Sequence, residues 1–159
     1  MSLREAVIPA DSATLFRRLL LAFAVLLVAA TAVELAMERH WNSFVQQIPW
    51  GGVTVMVVAI ALACIRPGRP SLMAARLLSV AIIALSLYGI FEHVRANYDA
   101  GPLDFRYANT WATMSEAGRW LRAATKSVGP APVLAPGILA QAALCVIAAT
   151  LRHPASRSR

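Results

Sequence analysis

"LLLAFAVLLVAATAVELAM", residues 19–37, runs nineteen residues with no basic side chain and with one carboxylate, Glu34, near its end. A helix needs about 20 apolar residues to cross about 30 Å of hydrocarbon, with a working range down to about 17. The stretch therefore reads as a membrane span, and three others resemble it: Trp50 to Ile65, Leu77 to Phe91 and Val133 to Leu151. The second and third reach only with their flanks, Pro49 on one and Met73 to Arg76 on the other, with Arg76 snorkelling toward water. At 58% apolar and 14% charged residues, the whole chain lies far from a soluble balance. Together these features predict an all-α fold: a four-transmembrane-helix bundle forming one membrane domain over 1–159, with spans at about 15–38, 49–65, 72–92 and 135–151. Arg17, Arg18 and the small residues Ala30 to Ala32 imitate a signal peptide and its cleavage site. The helical pattern continues past that point, so cleavage is not expected.

Lys and Arg set the orientation. With both termini cytoplasmic, the inner side holds Arg4, Arg17, Arg18, Arg66, Arg69, Arg76, Arg152, Arg157 and Arg159 against Glu5 and Asp11 alone. The outer side then balances Arg39, Arg95, Arg106, Arg119, Arg122 and Lys126 with Glu34, Glu38, Glu92, Asp99, Asp104 and Glu116. The positive-inside rule selects this multi-pass topology. The net charge of +7 is thereby a topology signal, and without a recognition motif nucleic acid is not an expected partner. Cys64 and Cys145 fall toward the inner side with no C-x-x-C spacing, so they read as small core residues and not as a thiol oxidoreductase pair.

Span two is expected to begin at Pro49, where a missing N–H costs nothing. "RPGRPS", Arg66 to Ser71, is a helix-helix turn that makes spans two and three antiparallel neighbours. The outer segment, 92–132, is too long for a plain connection. Within it, "TWATMSEAGRWLRAATKS", Thr110 to Ser127, reads as holding an amphipathic helix over Thr113 to Lys126, with Trp111, Met114, Trp120 or Leu121 and Ala124 near one face of the stretch and Glu116, Arg119, Arg122 and Lys126 near the other. Tyr98, Phe105, Tyr107, Trp111 and Trp120, with Trp41 and Trp50, suggest an interfacial aromatic belt. The Pro-rich 129–136 stretch should approach span four extended, the helix starting near Pro136.

Membrane helices pack through small and polar residues, and these trace three seams. Span one offers Thr31, Glu34 and Glu38; span three offers Ser79, Ile82, Ser86, Gly89 and His93; span four offers Gly137, Gln141, Cys145 and Ala149. The first two become ionisable toward the outer surface, where Glu92 adjoins His93. Glu34 falls about 6 Å below the outer boundary at 1.5 Å per residue, a depth at which an ionisable group is a functional candidate. Glu34, Glu38, His93 and His40 could supply ligands to a divalent transition metal. His40 joins them only if the helix ends by Arg39, because it otherwise points about 120° away from Glu34. The same groups could pass protons. The bland alternative is a buried ion pair of Glu34 or Glu38 with Arg39, Arg95 or His93. Bis-histidine haem is disfavoured, because His40 and His93 are crowded by acids at the rim. Gln141, near midplane, reads as interhelical glue, and His153 as a solvated tail residue. No Ser-His-Asp arrangement, phosphate-cradling loop or paired-cysteine site occurs.

"VELAMERHW" followed by "IPW", then "FEHVRANYD", then "PAPVLAPGILAQAAL" and "LRHP" resembles an uncharacterised family of small four-span bacterial integral membrane proteins. The resemblance implies a fold and a compartment, the bacterial cytoplasmic (inner) membrane, and no mechanism. It adds Asn97 to Glu34, His40, His93 and Gln141 as positions of interest. The expected role is a non-enzymatic subunit or accessory of a larger membrane complex, in contact with lipid and with other subunits or copies of itself. The alternative is a metal-binding or proton-linked protein using the Glu/His cluster.

Overall fold

The computed structural model describes residues 10–65 and 67–156; Arg4, Glu5, Arg66, Arg157 and Arg159 of the charge argument lie outside them. The described chain is all helix and turn, with no strand. Five α-helices follow one another: α1, Ala10–Met37; α2, Phe44–Cys64; α3, Arg69–Asp99; α4, Glu116–Ala124; and α5, Gly137–Thr150. Single 3-10 turns stand at Gly101–Leu103, Trp111–Thr113 and Pro154–Ser156. Three helices, α1, α2 and α3, are long and apolar enough to cross a membrane. The fourth apolar helix, α5, has 14 residues, about 21 Å at 1.5 Å per residue.

α1 ends where its sequence turns polar. The chain leaves it through Arg39, whose φ of 49° is left-handed. The His40 N–H then reaches the Leu35 carbonyl at 2.9 Å and the Arg39 N–H the Ala36 carbonyl at 3.1 Å. This pair of bonds is the Schellman arrangement, which satisfies carbonyls a helix end leaves open. α2 starts earlier than Pro49: Ser43 caps it by accepting from the Gln46 N–H at 3.3 Å, and the Gln46 side chain accepts from the Asn42 N–H at 2.9 Å. Pro49 therefore sits inside the helix. α3 also exceeds its expected limits, running on to Asp99 before Gly101 and Pro102 break it. The first eight residues of the expected outer segment are thus helix, and the stretch before α5 is a hydrogen-bonded turn over 133–136, not an extended approach.

α5 is wedged between α1 and α3, α2 packs on α3, and α1 closes more lightly on α2. Ala142, Ala143, Val146 and Ala149 of α5 are buried with Ala24 and Val28 of α1, Met56 and Ile60 of α2, and Ala75 and Ile82 of α3. Small side chains bring these helices close, the usual route to packing where lipid offers no hydrophobic drive. On α3 the expected seam is the packed side, with Ser79, Ile82 and Ser86 all buried. On α5 only Ala149 of the expected seam is buried. Gln141 is exposed there, because alanine, not polarity, marks the packed face of this helix. Arg76 reaches the end of α5: its Nε donates to Thr150 Oγ1 at 3.2 Å and its Nη2 to the Thr150 carbonyl. A cation at a helix C-terminus meets both the open carbonyls and the negative end of the dipole.

Candidate functional site

At the end of the bundle where α1 hands over to α2, a cavity of about 190 Å³ opens between α1, α2, α3 and the turn entering α5. Its floor and sides are apolar: Leu35, Val45, Ile48, Leu85 and Leu139, with Pro49 and Pro136. Its polar lining comprises Thr31, Glu34, Glu38, His40, Ser86, Tyr88, Glu92 and His93. Glu34, Glu38 and His40 on one side and Ser86, Glu92 and His93 on the other, more than forty positions apart in the chain, therefore line one space. His40 reaches it because α1 stops at Met37 and the left-handed Arg39 turns the chain back on itself.

Hydrogen bonds hold the rim. His93 Nδ1 lies 2.8 Å from the Pro132 carbonyl, so Nδ1 donates there and Nε2 is presented elsewhere. Trp50 Nε1 donates to the His40 carbonyl at 2.8 Å and pins the α1–α2 turn. Burial, then the neighbouring His93, hold the His40 imidazole below its usual range, against the opposing pull of Glu38 and Glu34. At the base, Thr31 Oγ1 spends its proton on the Leu27 carbonyl at 2.9 Å. Ser86 Oγ, on a residue 3% exposed, has no hydrogen-bond partner among the described residues.

The buried ion pair expected of Glu34 or Glu38 is not formed. The ion pairs among the described residues are Glu92 with Arg95 at 3.9 Å and Asp104 with Arg106 at 2.6 Å. Nor do three or more His, Cys, Asp or Glu side chains come together as a metal site among the described residues. Glu34, Glu38, His40 and His93 share a cavity without converging on a point, and the Pro132 carbonyl engages one nitrogen of His93.

Asn97 lies outside this cavity. Fully buried, it donates to the Ala123 and Ala131 carbonyls at 3.3 and 3.0 Å and accepts from the Ala131 N–H at 2.8 Å, tying the chain on both sides of Gly129 to α3. Gly129 has φ +78°, and a Cβ there would stand 2.4 Å from Asn97 Oδ1. Around this tie the outer residues make a small core of their own. Trp111, Ala123 and Val128 are buried, with Val94, Tyr98, Tyr107 and Met114 packed on them. Trp120 stacks on Tyr98 at 4.5 Å and Tyr98 meets Trp111 edge-on at 5.5 Å. Most of the expected aromatic belt is therefore internal packing, although Phe105 is 89% exposed. Two of the expected outward charges also turn in: Arg119 lies over the Tyr98 ring at 5.6 Å and Arg122 over Tyr107 at 5.3 Å. The cation attracted to the ring face outweighs the simple two-faced pattern, and Ala123, not Ala124, is buried.

Comparison with family models, with curated proteins and with solved structures returns no match for this chain. What the cavity can do must be argued from its own groups.

Proposed function

We propose that this chain is a small, non-enzymatic component of the bacterial cytoplasmic membrane, with both termini cytoplasmic and α5 as a fourth span, which serves a larger membrane assembly. Gln141 carries the reading. It sits in the middle of an apolar helix, exposed, and no hydrogen bond to it is found among the described residues. A side-chain amide facing hydrocarbon is costly unless another helix receives it, and such a bond contributes about 0.6 kcal/mol on average and up to about 1.7. Leu144 and Ala148, also exposed, continue the same stripe at helical spacing and give a partner helix a surface to pack on. The test is photocrosslinking in native membranes from a reactive group at position 141. A discrete adduct with another chain or a second copy, weakened co-purification in Gln141→Leu and none lost in Leu87→Ala on α3 are expected; crosslinks to lipid alone would overturn the reading.

The cavity favours a second reading, that the protein also binds at its Glu/His rim, without a metal centre and with proton transfer available to the imidazoles and carboxylates. The supporting observation is that Glu34 and Glu38 face an open cavity without an ion pair. Ser86→Cys, in a background lacking Cys64 and Cys145, reports on access. Labelling by a small methanethiosulfonate reagent is expected, and a thiol that stays unmodified in the folded protein would show the cavity closed.

A further inference from the structure

We infer that the cavity binds a compact organic cation, an ammonium group on a short apolar body that carries a hydrogen-bond acceptor at its far end. This rests on the reading of the cavity as an accessible binding site. Charge points to the sign of the ligand. The lining holds the carboxylates of Glu34, Glu38 and Glu92 with the imidazoles of His40 and His93, and neither lysine nor arginine. Glu34 in α1 and Glu38 just past its end form no ion pair among the described residues, and Glu92 has only a long contact of 3.9 Å to Arg95. His93 donates from Nδ1 to the Pro132 carbonyl, which leaves Nε2 as its remaining polar atom. An anion would meet a rim of like charge, and a bare metal ion would lack a converging set of ligands.

The base points to the shape of the ligand. Ser79, two turns earlier on α3, spends its hydroxyl on the Ala75 carbonyl at 2.8 Å. Ser86 does not bond back in this way; its buried hydroxyl is unpartnered at the cavity wall among Leu85 and Leu139. Leaving a buried hydroxyl unmet is costly, and an acceptor on the ligand would remove that cost. Glu92 lies six residues further along α3, about 9 Å at 1.5 Å per residue. The site thus asks for an ammonium and an acceptor separated by a few methylenes. At about 190 Å³ it is smaller than the roughly 300 Å³ at the low end of drug-sized pockets, which limits the ligand to a small body. A free alkylamine and the ammonium of an aminophospholipid headgroup share this chemistry.

Calorimetric titration of the full chain, purified in detergent, decides the matter with pentylammonium and pentanoate as size-matched cation and anion, and with 5-aminopentanamide as the probe bearing an acceptor. Pentylammonium should bind and pentanoate should not, and the Glu34→Gln/Glu38→Gln double variant should weaken pentylammonium at least tenfold. Ser86→Ala should weaken 5-aminopentanamide several-fold while leaving pentylammonium unchanged. In nanodiscs, competition by phosphatidylethanolamine that phosphatidylglycerol does not reproduce assigns the cation to a lipid headgroup; equal affinity in both assigns it to a solute. Equal binding of cation and anion, or no binding of either by protein whose Ser86→Cys form still labels, overturns the inference while leaving the accessible cavity standing. If that form does not label, the cavity reading itself fails and the inference with it.

Discussion

Arg39, Lys126 and Arg152 all hold a left-handed backbone, with φ of 49°, 54° and 49°, where a glycine would be the common choice. Lys126 closes α4 with the bond pattern that Arg39 gives α1: the Ser127 N–H reaches the Arg122 carbonyl at 2.9 Å and the Lys126 N–H the Ala123 carbonyl at 3.3 Å. A side chain in this region costs about 1–2 kcal/mol, and a positive charge beside a helix C-terminus recovers about 0.3–1. Composition places the ends of α1 and α4 within two residues, but sequence reasoning looks for Gly or Asn as stop signals, so the left-handed turn that delivers His40 was not legible. Asp104 is a second local device. Its carboxylate receives the Arg106 Nε at 2.9 Å, Nη2 at 2.6 Å and backbone N–H at 3.0 Å, which lowers its pKa from 3.8 to about 2. A depressed carboxylate contributes stability above its unfolded value that is lost as pH falls through the folded one. Near-UV circular dichroism of the outer aromatic core should therefore weaken between pH 3.8 and about 2, and Asp104→Asn should flatten that part of the profile.

Among the elements, α1 and α3 were the most legible and the outer segment the least. A long apolar run announces its helix through composition alone, and the 3–4 spacing of Ser79, Ile82 and Ser86 picks out the packed side of α3 because hydroxyls there have neighbours to meet. The outer segment depends on side chains meeting across it, and a hydrophobic pattern does not encode those meetings. Asn97 is the clearest case. Its buried amide makes three bonds to backbone 26 and 34 residues away, while the sequence singles it out only by resemblance and nothing in its spacing points to those partners. Asn97→Ala should cost about 2–3 kcal/mol, because the Ala131 N–H and two carbonyls lose their partner inside a buried site. Limited trypsin digestion should then cut at Arg119 and Arg122 of α4, which the folded segment keeps against Tyr98 and Tyr107. Resistance equal to the parent chain would show that ring stacking alone holds the segment.

For the whole molecule, periodicity and charge picked out residues of spans one and three that line one cavity, and the Pro-rich entry placed the start of the last helix within a residue of Gly137, but the turn before that helix was not legible. Val133 to Leu151 counts as one apolar run, yet its helix occupies only Gly137–Thr150, the residues before it folding into a turn that lines the cavity instead of filling it. Gln141 was misplaced for a related reason: small residues set the rotation of α5, and the polar pattern gave the wrong face. Inserting four apolar helix-forming residues before Gly137 adds about one turn, 5.4 Å. The lengthened helix should retain its helicity by far-UV circular dichroism while slowing thiol labelling in Ser86→Cys by an order of magnitude or more. Such an outcome would mark the binding space as a site made by subtraction. One helix is about two turns or more shorter than each of its neighbours, and the vacancy is walled largely by side chains those neighbours already carry.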